Sequence, residues 1–436
     1  MRKMTILLFI EWLLCMVTYL LGDYTFDKVC ILTIITIILV LWVSIKADKG
    51  HFTLTSSLLV YTVATQFGLV IPYFFFGRDI LSQYHDYTLS FLENGTLPKA
   101  VLLGNIAVIT FVFMKLYSKN KYRKKRIIKC NQKVNNESKV YMAGIVMLLI
   151  VGFYFMFHIL LGGTRLISTY EAFMNSSAYK SPLYSYILIF FYSGSIYLAS
   201  SGTIKEHKSG WILWIILVLI FALNGNKGEF MYALLAVMGL KGIQGQKLSF
   251  KILMFMSAIL FLIIPTITSL RNMGIAGNLS SAQINFFDAF SEMGMQIRTS
   301  VYVLDDLDKG VYGYLYGKSY FLPIFNLITP FLNHTTATSL IRSTYKGYGF
   351  NQVIESYLNF NIIGTIIYFG IIGYFLTKWE NTAKDTAKLA YIGSITCILI
   401  NATRNYFAFV PGQICVITVI YILVKKVRIK FRNKIL

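Results

Sequence analysis

Val29-Cys-Ile-Leu-Thr-Ile-Ile-Thr-Ile-Ile-Leu-Val-Leu-Trp-Val-Ser-Ile45 contains no charged residue. A second run, Ile252–Pro265, is equally free of charge, and such stretches recur along the chain. About 20 helical residues cross a ~30 Å hydrocarbon core. In lipid the backbone must pair with itself, which leaves helices or closed barrels. Barrel strands alternate apolar and polar positions, whereas these runs are continuous. The expected fold is therefore an all-α polytopic membrane protein.

Composition agrees. Of 436 residues, 56% are hydrophobic and only 14% charged, which overrides the two or three soluble domains that length alone suggests. We expect a single integral membrane domain over 1–436 with about twelve transmembrane helices. They fall at roughly 4–21, 29–45, 53–76, 99–117, 140–161, 182–201, 211–224, 228–241, 252–270, 354–376, 388–403 and 406–424. The seventh and eighth are short enough to be half-helices. The first follows Arg2 and Lys3 as a signal peptide would, but no small-x-small cleavage pattern follows it, so it reads as an uncleaved span.

The net charge of +22 does not point to nucleic acid, because the basic residues lie in short segments between apolar runs. With the N-terminus in the cytoplasm, the inside segments hold 28 of the 41 Lys and Arg. The opposite orientation would export Lys119–Arg126 and the tail Lys425–Lys434. Both termini and the basic loop 115–139 are accordingly expected to be cytoplasmic, beside anionic lipid. The five cysteines are scattered, without CxxC or metal spacing, so neither a disulfide nor a metal site is expected.

This orientation places one long segment, 271–353, outside. Long mixed-charge loops in compact proteins are usually functional. Within it, Phe286, Phe287, Phe290, Met293, Ile297 and Val301 recur at helical spacing, predicting one helix over Ser280–Leu307 lying on the membrane or on the bundle mouth. Tyr312–Tyr320 reads as turn, Pro323 and Pro330 bound a short apolar stretch, and Thr335–Thr344 suits a short helix. The many loop tyrosines suit sugar faces as well as an interfacial belt.

Five cations fall on the side that the positive-inside rule disfavours: Lys227, Arg271, Arg298, Arg342 and Arg404. Snorkelling or pairing with acids explains any one of them. Several at one bundle mouth point instead to an anionic substrate, and arginine's fork suits phosphate. Lys227 sits in the Gly-rich turn Asn224–Glu229, which opens a helix and leaves amides free for an anion. Among the acids, Glu355 opens the tenth span beside Tyr357 and Asn359, and Glu292 lies on the polar face of the loop helix. Either carboxylate can polarise a hydroxyl. For Glu355 the plainer role is to favour a helix dipole. His334, the one histidine of the loop, is a weaker candidate. Glu11 and His158 fall inside expected spans, where ionisable groups are functional candidates.

Gly225-Asn-Lys-Gly-Glu-Phe230, Ser269-Leu-Arg271, Phe290-Ser-Glu-Met-Gly294 and Val353-Ile-Glu-Ser-Tyr-Leu-Asn-Phe360 with Gly364 resemble the Wzy family of O-antigen and capsular polysaccharide polymerases. The likeness covers roughly the second half of the chain and the general layout. It departs at Lys227, where the family pattern leads us to expect arginine. The resemblance implies a GT-C-like, metal-independent glycosyltransferase in the bacterial cytoplasmic (inner) membrane. Such an enzyme transfers a growing glycan from its undecaprenyl-diphosphate carrier to the non-reducing end of a new lipid-linked repeat unit on the outer face. No cofactor is expected; Asp305-Asp306-Leu-Asp308 is the nearest imitation of a metal motif and reads as a solvated turn. A chain-length regulator and a flippase are the implied partners. In this scheme Arg271, Arg298, Arg342, Arg404 and Lys227 hold the diphosphate, Glu355 or Glu292 serves the hydroxyl, and Tyr357, Asn359 and His334 contact sugar.

Three alternatives compete. An O-antigen ligase shares the donor but uses a lipid A core acceptor. A flippase or transporter for lipid-linked sugars predicts charges buried in the spans and pseudo-symmetric halves. The long loop has no counterpart in the first half, which weighs against it. A non-catalytic scaffold leaves the clustered arginines unexplained.

Overall fold

Charge-free runs can pair their backbone in lipid only as helices, and those among the described residues form helices. The computed structural model describes residues 2–22, 25–82, 84–122, 134–162, 170–224, 227–245, 288–329 and 349–426. In order, the main helices are α1 (Arg2–Leu21), α2 (Phe26–Ala47), α3 (Leu54–Phe67), α4 (Val70–Phe76), α5 (Leu97–Lys121) and α6 (Val134–Gly162). Then come α7 (Tyr184–Ser201), α8 (Lys208–Leu223), α9 (Lys227–Ile243), α10 (Asp288–Gly294) and α11 (Ile297–Asp308). The last are α12 (Lys318–Ile328), α13 (Gln352–Thr382), α14 (Thr386–Ala402) and α15 (Val410–Lys426). No strand occurs among the described residues.

Among the described residues six helices are long and apolar enough to cross a membrane, and α3 with α4, bent by 46°, makes a seventh if the pair is one span. Helices α8 and α14 are apolar but shorter. The expected ninth span, 252–270, lies outside the described residues, as does the Thr335–Thr344 helix.

Helix α5 is the central post: 83% of its apolar window is buried, against 22% for α1. It packs on α13, α2 and α1, while α7 packs on α6, α14 and α9. Small residues set the close approaches, as is common where lipid supplies no hydrophobic drive between helices. A Cβ on Gly373 of α13 would stand 2.4 Å from the Phe111 carbonyl oxygen of α5.

Three sequence expectations change in detail. The helix expected over Ser280–Leu307 is two helices, α10 and α11, within the described residues; 280–287 lie outside them. The chain turns at Gly294–Gln296 because Gly294 abuts the Gly68–Leu69 bend, where a Cβ would lie 2.0 Å from the Leu69 nitrogen. Ile297, Val301 and Leu304 are then buried, so α11 packs on the bundle mouth. The turn expected over Tyr312–Tyr320 gives way to helix at Lys318, and Pro323 falls within α12 rather than bounding a segment. Helix α13 is longer than 354–376 and is broken at Phe360 and Asn361, where Asn361 takes φ +56°. With ψ −156° it lies outside the left-handed helical well, in a region that glycine adopts far more readily than other residues. Gly364 lets the two halves close, since a Cβ there would stand 2.1 Å from the Ser356 carbonyl oxygen.

The end of the bundle away from α10–α12 carries its own buried polar knot. Lys115 of α5 is wholly buried and donates to Asp48 (2.6 Å), Ser44 (2.7 Å) and Ser56 (3.0 Å). Lys119 also pairs with Asp48. Burial alone would push the Asp48 carboxyl up, but the two lysines outweigh it and hold it below the ordinary aspartate range. Glu380 of α13 accepts from the Thr55 amide (2.6 Å) and hydroxyl (3.0 Å).

Candidate active site

The opposite end is organised around the loop 402–407, between α14 and α15. The first turns of α13 clamp it. Asn351 caps α13, accepting from Val353 (2.9 Å) and Ile354 (3.1 Å) amides, and donates to Ser300 Oγ of α11 at 2.7 Å. Gln352 Nε2 donates to the carbonyls of Ala402 (2.9 Å) and Asn405 (3.0 Å). The Phe407 amide donates to Glu355 Oε2 at 2.8 Å. Glu355 is fully buried, and its Oε1 has no hydrogen-bond partner among the described residues. A buried carboxylate oxygen left open is costly unless something else meets it. Around it, Tyr320 of α12 stacks on Tyr368 and meets the Phe407 ring edge-on at 4.9 Å.

Arg404 occupies the other side of this loop. With the Gln296 amide oxygen turned toward it, Gln296 accepts from Arg404 Nε and Nη2, both at 3.2 Å. Burial works against the charged guanidinium, but the Tyr232 and Tyr61 hydroxyls and the Glu292 carboxylate raise its pKa further above the ordinary arginine value. Beyond them, Tyr192 donates to Glu229 Oε2 at 2.6 Å, and the Tyr61 and Tyr232 rings meet edge-on at 5.4 Å. Gly349 lies over this cluster, where a Cβ would come within 2.6 Å of the Gln296 amide and 2.8 Å of the Arg404 carbonyl. Thus α3, α9, α10, α11, α13 and the 402–407 loop converge on one cation.

Asn359 sits one turn below Glu355. It is fully buried, donates to Ser319 Oγ (2.6 Å) and the Glu355 carbonyl (2.8 Å), and keeps Oδ1 without a partner among the described residues. It lines an open groove of about 420 Å³ at the α13 break, with Tyr314, Tyr316, Phe360 and Asn361. Tyr357 stands behind the groove, its ring 6.1 Å from that of Tyr314 and its hydroxyl 3.0 Å from that of Tyr19 on α1. The groove thus offers aromatic faces, the surface on which sugars pack, with the Asn359 side chain buried behind them.

Of the site residues read from sequence, Glu292, Arg404, Glu355 and Asn359 gather around this loop and groove. Arg298, in the first turn of α11, is two residues from Gln296. Tyr357 joins α1 to α13. Arg271, Arg342 and His334 lie outside the described residues, as does the side chain of Lys227. Glu11 is tied to Thr36 Oγ1 (2.7 Å), and His158 lies 3.2 Å from Ser177 Oγ, both away from the site. Tyr61, Tyr232 and Gln296 were not singled out from the sequence. Their signal is faint: a lone polar side chain in an apolar run, which a tyrosine-rich chain repeats many times.

Several helices long and apolar enough to cross a membrane, with a polar, cation-centred cluster at one end of the bundle, define a multi-pass membrane protein. The chain belongs to the O-antigen polysaccharide polymerase Wzy family, whose model matches residues 3–432. It is 32% identical over 406 residues to protein CapE of Staphylococcus aureus, covering 90% of this chain and 88% of that one. No solved structure matches it. The protein is therefore an O-antigen or capsular polysaccharide polymerase, a glycosyltransferase-type enzyme acting on lipid-linked oligosaccharide repeat units. The ligase and flippase alternatives are not favoured.

Proposed function

We propose that polymerisation takes place at the 402–407 loop, on the outer face of the bacterial cytoplasmic membrane, with undecaprenyl diphosphate as the carrier. The observation that carries this reading is the position of Arg404. It is held protonated among Glu292, Tyr61, Tyr232 and Gln296, on the loop that Glu355 fastens. In the reaction, a sugar hydroxyl of the new unit attacks the anomeric carbon of the growing chain. The C–O bond to the diphosphate breaks, and the diphosphate leaves with the electron pair. Glu355, or Glu292 in its place, takes the hydroxyl proton. Arg404, with Arg298 and with Arg271, Arg342 and Lys227 contributed from outside the described residues, offsets the charge developing on the leaving group. Asn359 and Tyr357, with His334, orient sugar. This chemistry needs no metal ion, since cations of the chain serve the diphosphate.

The same reading makes 1–436 a single GT-C-like membrane domain of twelve spans, with 271–353 external and both termini and 115–139 cytoplasmic. A flippase supplies the lipid-linked units, and a chain-length regulator acts with the polymerase. The test is complementation of a deletion strain, read as a polysaccharide ladder. The deletion is expected to leave single repeat units on the final acceptor. Loss of all attached sugar would overturn the polymerase step and favour a ligase or flippase.

A further inference from the structure

A second cavity lies on α13 just beyond the break. It is an apolar cleft of about 450 Å³ between α1, α5 and α13, lined among others by Phe9, Trp12, Thr110, Met114, Ile367 and Gly370. Its volume is in the ~300–1,000 Å³ range of ligand sites. The cleft and the Tyr314–Asn359 groove share Ile367, so the two adjoin on α13. At 1.5 Å per residue, Gly370 of the cleft lies roughly 10 Å from Ile363 of the groove along the unbroken part of the helix. The order is a tyrosine- and asparagine-lined end at the break, then a wall without a free polar group. The one indole N–H there, that of Trp12, is already donated to Thr110 Oγ1 at 3.1 Å.

We propose that this cleft takes the polyprenyl chain of a lipid-diphosphate-linked repeat unit, with the sugar end of that molecule at the α13 break. The proposal rests on the lipid-carrier reading above. A single molecule with a polar head and a long apolar tail is the occupant that reaches from the groove beside Asn359 and Asn361 into the adjoining cleft. Ile366, Ile367 and Ile371 face Phe9 and Phe113 across the cleft, an apolar lining for a hydrocarbon chain. Gly370 keeps it open. A Cβ there meets only Met114 Cγ at 3.5 Å and Thr110 Cγ2 at 3.8 Å, both ordinary contacts. Alanine therefore fits, whereas a phenylalanine ring would project into the cleft.

The test is photolabelling of the full-length protein in nanodiscs with a diazirine-bearing polyprenyl diphosphate, followed by peptide mapping. A diacyl phospholipid bearing the same diazirine is run beside it. Label from the polyprenyl probe is expected on α1, α5 and α13 around positions 9–12, 110–114 and 366–371. It should survive excess unlabelled phospholipid, fall on the order of tenfold in Gly370→Phe as an overfilled cavity does, and persist in Gly370→Ala. Equal labelling by the phospholipid probe would make the cleft an ordinary lipid groove and overturn the proposal. Labelling unchanged by Gly370→Phe, or mapped to other helices, would do the same. The readout needs no turnover. An inactive but labelled protein counts against the polymerase site alone, and an active, unlabelled one against the cleft alone.

Discussion

The Phe407 amide donates to the Glu355 carboxylate at 2.8 Å, so the residue we propose as the base also fastens the loop that carries Arg404. The two functions of Glu355 separate by substitution. In Glu355→Gln an amide oxygen still accepts from Phe407 but no longer takes a proton. We expect normal insertion and expression and a fall in polymerisation of about 10²–10⁴-fold, the usual worth of a general base. Glu355→Ala should lose the loop clamp as well and unfold at lower temperature. A Glu355→Gln variant that makes wild-type ladders would reduce Glu355 to a purely structural residue.

Arg404 is held by two donors to one amide oxygen, with Glu292, Tyr61 and Tyr232 around it. Lysine keeps the charge but not the planar fork. Arg404→Lys is expected to lower the polymerisation rate on the order of 10²-fold, the scale of a lost transition-state donor. Gln296→Ala, which frees the guanidinium without removing it, should cost less. In vitro chain extension, normalised to protein recovered by size-exclusion chromatography, gives the comparison. Equal activity of Arg404→Lys and wild type would remove Arg404 from the diphosphate site.

Asp48, Lys115 and Lys119 form a buried ion cluster far from this chemistry. Removing one partner of such a pair costs about 3–5 kcal/mol because a charge is left enclosed. Asp48→Asn should therefore lower the thermal midpoint in detergent, and Lys115→Met in the same chain should restore part of it. The Asp48 carboxyl is held below its ordinary value of about 4. Its contribution is thus present above that value and is lost as pH falls through the lower, folded-state pKa. A thermal midpoint in Asp48→Asn equal to that of wild type at neutral pH would contradict this account.

The break in α13 depends on two small requirements. Gly364 must lack a Cβ, which would stand 2.1 Å from the Ser356 carbonyl oxygen, and Asn361 must hold φ +56°. Gly364→Ala should destabilise by about 1–3 kcal/mol as an overpacked contact, whereas Gly370→Ala should not. Asn361→Gly should be tolerated and Asn361→Val should not, since a β-branched residue resists positive φ. Thermal unfolding of the four variants orders them. A stable Gly364→Ala protein would mean that the halves of α13 are not held this closely.

These contrasts show where the sequence was legible. Long charge-free runs such as Val29–Ile45 announce helices by composition, and α1, α2, α5, α6 and α13 follow them closely. Interruptions inside an apolar pattern are harder to see. The Asn359-Phe360-Asn361 break is carried by one asparagine at positive φ and one glycine, neither of which alters apolar periodicity. Glu355 and Arg404 stand out because charges are rare in such a chain. The groups around Arg404, Gln296, Tyr61 and Tyr232, do not. They come from three separate segments and meet only through tertiary packing, which one-dimensional spacing does not encode.

The break in α13 divides the chain, though not the space, at a single residue. Before Asn361 come the groove tyrosines, Asn359 and the Glu355 clamp; after it α13 packs on α5 along the apolar cleft and returns Tyr368 to the rings beside Glu355. If glycan recognition resides before the break, polymerases that share a carrier but join different sugars need to vary only that part. Asn361 then marks a natural crossover point for exchanging glycan preference. A chimera with 288–360 from a relative and 361–436 retained here should polymerise the relative's repeat unit in a complementation assay. One that keeps its original sugar preference would show that glycan recognition does not reside before the break.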